Sequence, residues 1–332
     1  MRIRFSVIVP AHNRGDLLHE AIESVLAQSF KGYELIVVDD GSTDGSLDFL
    51  QSYGDRIRVI RLSKNQGPEV ARNAGAAVAR GEYIVIFDSD DLLYPHALEL
   101  YDRVIEQFGS PPFLVGVYSL FAEGMPIPAA DASTPIEVFR FRDYLSHPVS
   151  MAGSYNDGMA IRKDAFDAVG GYRNSTATTC HSDDLYLKLR LGTREPCIYV
   201  RRPFFAAYRL HEGNSIRQLK ATAEGVFRIA DAEREGQFPG GSRRRIERYA
   251  VIGRRAANWA YHYCWKGGER KLALRILRKT APMVAAAVWK RLLLGLQKPA
   301  VSMLLPSLQL PSDAGGGNGE IRDEDATAEA IS

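Results

Sequence analysis

Four times in the first ninety residues a short apolar run gives way to a segment of different periodicity. Phe5-Ser6-Val7-Ile8-Val9 (ended by Pro10), Leu35-Ile36-Val37-Val38, Ile57-Arg58-Val59-Ile60 and Tyr83-Ile84-Val85-Ile86-Phe87 predict strands. Helices are predicted between them, over 15–29, 44–52 and 68–80. The first rests on Leu17, Leu18, Ile22, Val25 and Leu26, and the last is closed by Gly81. Strands that are apolar on both sides of the pleat belong to sheets covered on both faces. The repeat therefore restricts the chain to an α/β fold, with a mostly parallel, Rossmann-like sheet and helices on both faces.

In such sheets ligands bind at the carboxyl ends of the strands. Three of those ends carry polar residues here: Ala11-His12-Asn13, Asp39-Asp40-Gly41-Ser42 and Asp88-Ser89-Asp90-Asp91. Any one of them is explained by turn chemistry alone. Three on one predicted edge point to a site. Two carboxylates two residues apart, Asp88 and Asp90, suit a hard divalent cation, which prefers oxygen ligands and shares its shell with water and phosphate.

Beyond residue 109 the pattern loosens. A strand is predicted near 113–121, a loop over 122–138, and helices over 139–146, 162–169 and 182–191. After 217 strand signals vanish, and helices are predicted over 243–265, 269–279 and 283–297. Residues 311–332 hold too little apolar content to fold and are expected to form a disordered acidic tail.

At this point the combined motifs matter more than any single one. SVIVPAHNR (6–14), LIVVDDGSTDGS (35–46), NQGPEVARNAGAAVARGEYIVIFDSDD (65–91), DDLYLKLRLG (183–192) and YRLHEGNS (208–215) resemble glycosyltransferase family 2. The likeness runs over about residues 4–217. It implies a GT-A catalytic domain over 1–217, a basic α-helical region over 218–310, and the tail. It also implies a nucleotide-diphosphate sugar donor and a cell-surface glycan or lipid-linked acceptor. UDP is favoured through Asp39, with GDP and dTDP left open. Pro10, Ala11, His12 and Asp39 would meet the base, and Arg72 would help hold the nucleotide. Asp88 and the neighbouring Ser89 would approach the ribose. Asp90 would ligate Mg²⁺ or Mn²⁺, with Asp88 and His211 as further ligands. Asn214 shares the late loop with His211. Asp184 aligns with the family's catalytic base, and Asp183 stands where relatives carry Glu. The implied reaction is a single displacement with inversion. The runners-up are a sugar-phosphate nucleotidyltransferase, whose Gly-rich opening is missing from PAHNRGDLL, and a non-catalytic sugar-nucleotide or glycan-binding module.

Composition narrows the partners. Lys and Arg total 42 against 40 Asp and Glu, a net charge of +2, so no nucleic-acid partner is expected. The three cysteines, Cys180, Cys197 and Cys264, lack metal-site spacing and fit a reducing compartment. The opening MRIRFSVIVP does not read as a signal peptide, and no apolar run is long enough to span a bilayer. A cytoplasmic enzyme is expected, either free or peripheral at the inner face of the cytoplasmic membrane. The charge is segregated: residues 240–310 hold 15 basic residues against Glu247 and Glu269. Ala285, Val288, Trp289, Leu292, Leu293 and Leu296 fall on one helical face within 283–297. That face either packs on the rest of the chain or lies in a membrane interface, and spacing alone leaves both open.

Overall fold

The computed structural model describes residues 2–129, 135–146, 158–173, 182–214, 217–294 and 302–305. The expected tail at 311–332, the end of the 283–297 helix and Cys180 lie outside these residues.

The opening repeat folds as β1 (Phe5–Ala11), α1 (Gly15–Leu26), β2 (Tyr33–Asp39), α2 (Ser46–Gln51), β3 (Arg58–Arg61), α3 (Pro68–Val78) and β4 (Tyr83–Ile86). Then come β5 (Leu92–Leu93), α4 (Ala97–Gln107), β6 (Phe113–Gly116), β7 (Tyr118–Ala122), β8 (Ile136–Phe141), β9 (Met159–Arg162) and α5 (Lys163–Ala168). The chain continues through α6 (Asp183–Arg190), β10 (Cys197–Arg202), β11 (Ala206–Leu210), α7 (Leu219–Arg234) and α8 (Arg245–Asn258), which runs on as a π-helical turn over Trp259–Trp265. It ends in α9 (Arg270–Lys279), α10 (Ala281–Leu294) and β12 (Ser302–Leu305).

The main sheet has nine strands in the order β12-β8-β10-β6-β9-β4-β1-β2-β3. β1, β2, β3 and β4 are mutually parallel. β9 runs against both β4 and β6, and β8 against both β10 and β12. All strands but β8 and β9 therefore point the same way, so the sheet is mixed but mostly parallel. Its two faces bury separate cores, as strand geometry requires. Ile8, Ile36, Val38, Ile84 and Ile86 face one, with Ala71 and Ala76 of α3. Phe5, Val7, Val9, Leu35, Val37 and Val85 face the other, with α1 and α4. Helix α3 lies close on the sheet: a Cβ at Gly75 would stand 2.4 Å from Ile8 Cγ2.

Several expectations are corrected. The segment 139–146 is not a helix: β8 covers Ile136–Phe141, and only Tyr144–Ser146 turns, as a 3₁₀ helix. Ile136 and Val138 are buried while Glu137 and Phe139 are less so, the period of a strand. The single strand expected over 113–121 is two, and β7 leaves for a second, three-stranded sheet of order β5-β11-β7. Strand signals do not vanish after 217, because β12 adds an edge to β8. Strand β1 runs through Pro10 to Ala11. Phe87 donates to the Ile8 carbonyl at 3.0 Å, so two residues on Pro10 turns its donorless nitrogen to that same side. Pairing with β4 has already stopped there, at Ile8. The missing donor costs no ladder bond, and a crevice opens between the ends of β1 and β4.

Residues Ile229, Ala230, Ile252 and Met283 of α7, α8 and α10 belong to the same buried cluster as the sheet's Ile8 and Ile84. The C-terminal helices are thus continuous in packing with the sheet. Among the described residues no helix is long and apolar enough to cross a membrane.

Candidate active site at the carboxyl edge of the sheet

The crevice between β1 and β4 is the switch point of the sheet, with β2 and β3 on one side and β9 and β6 on the other. Ala11 pairs with Asp39 across the ends of β1 and β2. Asp39 is fully buried, and its Oδ1 accepts from the Ser42 amide at 2.9 Å. Its Oδ2 has no hydrogen-bond partner, and Arg61 Nε stands 3.6 Å away. His12 likewise keeps a buried Nδ1 without a partner. Buried polar atoms left unmet are costly, and two of them lie together at this edge. Asp40 is structural: it accepts from the Gln66 and Gly67 amides, both at 2.8 Å, and fixes the loop before α3.

The second group follows β4. Arg72, 6% exposed, donates to Asp88 Oδ1 at 2.7 Å and lies 5.3 Å from the ring centroid of Tyr172. Burial opposes its charge, but Asp88 and Tyr172 outweigh it and raise its pKa. Tyr172 is seated by Asn73, whose Oδ1 accepts its amide at 2.9 Å and whose Nδ2 donates to its carbonyl at 2.8 Å. Ser89 is buried beside this pair in sequence.

Asp90 meets His211. The Nε2–Oδ2 distance is 3.0 Å, and Arg14 Nη2 reaches the same oxygen at 3.3 Å. Burial pushes the Asp90 pKa up, yet His211 and Arg14 hold it below the usual carboxylate range. Residue 211 arrives here because β11 is pinned to the acidic loop. The Arg209 amide donates to Asp91 Oδ1 at 2.7 Å, and Arg209 Nε donates to the Asp90 carbonyl at 3.0 Å. Asn214 braces the turn, accepting from the His211 amide at 2.6 Å and donating to the Arg209 carbonyl at 3.0 Å.

Among the described residues no three His, Cys, Asp or Glu side chains form a closed metal cage. One carboxylate and one imidazole do converge, at Asp90 and His211. Two protein ligands, with the remaining positions left to water and phosphate, fit Mg²⁺ or Mn²⁺. Asp88 instead gives its Oδ1 to Arg72.

The two neighbouring carboxylates of α6 sit in opposite surroundings. Asp184 is 7% exposed, with Lys188 Nζ 3.3 Å from its Oδ2 and Arg255 Nη2 3.6 Å from its Oδ1. Burial works against its charge, but Arg255 and Lys188 lower its pKa overall. Asp183 is half-buried and hydrogen-bonded to Glu69. Burial, and then Glu69, raise its pKa well above the carboxylate range, with Arg72 opposing. Glu69 was not singled out in the sequence, where it reads as an ordinary first-turn residue of α3. It is 1% exposed, and its Oε1 has no hydrogen-bond partner. A glutamate in the apolar-helical segment 68–80 was the one available signal.

The fold and its polar edge define the GT-A class of nucleotide-sugar folds. Residues 6–170 match the family described as Glycosyl transferase family 2, and the chain belongs to that family. It is 39% identical over 133 residues to the poly(ribitol-phosphate) beta-N-acetylglucosaminyltransferase TarP of Staphylococcus aureus (strain N315), covering 38% of this chain and 40% of the relative. The chain thus spans less than half the length of that curated relative. S. aureus TarS 1-349 in complex with UDP-GlcNAc superposes with a TM-score of 0.62 at 16% identity, over 87% of this chain and 89% of TarS 1-349. Mannosyltransferase PcManGT from Pyrobaculum calidifontis, in complex with GDP-Man and Mn²⁺, gives 0.54 at 17% identity, over 90% of this chain and 82% of that one. At these identities the structural likenesses speak for the fold.

Proposed function

We propose that the chain is an inverting glycosyltransferase that takes a sugar from a nucleotide-diphosphate donor in the β1–β4 crevice and passes it to a cell-envelope glycan or lipid-linked acceptor. The observation that carries this reading is the convergence of Asp90 and His211 at 3.0 Å, beside the Arg72–Asp88 pair, on the edge that also holds the unmet Asp39 oxygen. The base of the nucleotide would donate a ring N–H to Asp39 Oδ2. Arg61, 56% exposed over its side chain, is the group that swings aside to admit it. His12 would lie along the base, with Pro10 and Ala11 forming the floor. Arg72 fixes Asp88 toward the ribose, and Ser89 lines the same turn. UDP-GlcNAc is the first donor to try, since it is the ligand of TarS and TarP is an N-acetylglucosaminyltransferase.

Asp90 and His211 would hold Mg²⁺ or Mn²⁺, which when bound supplies positive charge to the departing diphosphate. Asp184 is the base. A group that takes a proton must first be ionised, and Lys188 and Arg255 keep Asp184 ionised. The acceptor oxygen forms its bond to the anomeric carbon as the bond from that carbon to the diphosphate breaks. The hydroxyl proton passes to the Asp184 carboxylate. The Asp183 carboxyl, pushed up by burial and then by Glu69, is less readily ionised than Asp184 and is assigned a supporting role beside it.

Thermal-shift screening of nucleoside diphosphates and nucleotide-sugars with Mn²⁺ tests the donor site, because a ligand of the native state raises its melting temperature. Mn²⁺-dependent release of nucleoside diphosphate tests transfer. A donor that binds without such release would favour a binding module. No shift with any of them would refute the reading.

A further inference from the structure

Helix α10 is docked by one edge. A Cβ on Gly253 of α8 would fall 1.9 Å from the Met283 carbonyl oxygen, so the two backbones nearly touch. Met283 is 1% exposed, and Lys290 Nζ donates to the Leu145 carbonyl at 2.9 Å. The opposite edge carries Val288, Trp289, Leu292 and Leu293, exposed by 56%, 59%, 64% and 46%. This inverts the usual arrangement of a docked helix, in which polar residues face out. The apolar face expected from the sequence at these four positions is turned away from the core.

Charge says what covers it. Residues 270–294 contain seven Lys or Arg and no Asp or Glu. Lys271, Arg275, Arg278 and Arg291 are exposed. A second copy of the chain on the same face would bring like charges together, because a two-fold contact sets a patch against itself. The chain's own acidic segment 311–332 matches in sign, but its only large apolar residues are Ile321 and Ile331. A bilayer with anionic headgroups supplies both counter-charge and an apolar interior.

We propose that α10 lies in the interface of an anionic lipid membrane, with Val288, Trp289, Leu292 and Leu293 among the acyl chains and the basic residues of α9 and α10 at the headgroups. Fourteen residues of the helix are described, about 21 Å at the α-helical rise, long enough to lie along a bilayer interface. Tryptophan favours that depth.

Co-sedimentation of the full chain with vesicles of phosphatidylcholine, with and without phosphatidylglycerol, tests this. Binding is expected to the anionic vesicles and to weaken with salt. A variant with Val288→Ser, Trp289→Ser and Leu292→Ser alters only outward positions and is expected to keep its melting temperature while losing binding. Lys271→Gln with Arg291→Gln is expected to weaken binding about five-fold per charge removed. Three results would overturn the proposal: no binding of the unmodified chain to anionic vesicles at low salt, equal binding by the serine variant, or binding that appears only after 306–332 are deleted. So would a dimer in light scattering that the serine variant disperses without any vesicle binding. The readout does not depend on sugar transfer, so it stands or falls apart from the enzymatic reading.

Discussion

Asp183 and Asp184 are adjacent carboxylates with opposite expected responses to the same change. In Asp184→Asn, Lys188 (2% exposed over its side chain) and Arg255 lose the carboxylate they share. Removing one member of a buried ion pair costs about 3–5 kcal/mol. At roughly 2 °C per kcal/mol for a chain of this size, the melting temperature should fall by about 6–10 °C. A lost general base lowers turnover about 10²–10⁴-fold, which corresponds to about 2.7–5.5 kcal/mol in the barrier. Asp183→Asn removes a carboxyl crowded by Glu69, so its melting temperature should hold or rise and turnover should fall far less. The assay is Mn²⁺-dependent release of nucleoside diphosphate, normalised to folded protein, beside donor-induced thermal shifts that report intact binding. Near-normal turnover in folded Asp184→Asn would refute the base assignment. A larger loss in Asp183→Asn would move the role to its neighbour.

Other outcomes follow from named contacts. Asp183 has a raised pKa in the fold, so its contribution is present below the ordinary carboxylate range and is lost as pH rises through the raised value. Glu69→Gln should flatten that decline and raise the melting temperature at alkaline pH, and parallel pH profiles for variant and parent would contradict the pairing. Asn214→Ala frees the turn that places His211, and should weaken Mn²⁺ affinity about 10–100-fold in a titration read by donor binding. Arg248→Met strands Glu233, now held at 2.6 Å and 3.0 Å, and should cost about 3–5 kcal/mol in denaturant unfolding. Gly253→Ala drives a Cβ into the Met283 carbonyl, and should loosen α10 at about 1–3 kcal/mol, seen as faster amide exchange in α10.

Parts of this protein were legible before folding because their signals are local. The opening strands β1, β2 and β4 are runs buried on both faces, and periodicity reads them directly. Turn residues at their ends, Asp39 and Asp88 through Asp91, are placed by the strands that precede them. Strand β9 has no local signature: Met159–Arg162 is only four residues, and what makes it a strand is insertion between β4 and β6. Strand β8 escapes a local reading because its alternation begins at Ile136, at the end of a stretch rich in Pro and Ala. Nothing local distinguishes β12, whose pairing with β8 defines it.

The sequence by itself determined the α/β class, the acidic edge and the segregation of positive charge, since each depends on residues near one another in the chain. Only the tertiary structure decided which side chains meet. His211 reaches Asp90 because β11 is pinned to the loop after β4, and Glu69, in the first turn of α3, meets Asp183, the first residue of α6. It also decided that the pKa of Asp184 is lowered while that of Asp183 is raised, and that the apolar face of α10 points outward. Those outcomes rest on burial and on long-range charge pairs, and neither quantity exists until the chain has closed on itself.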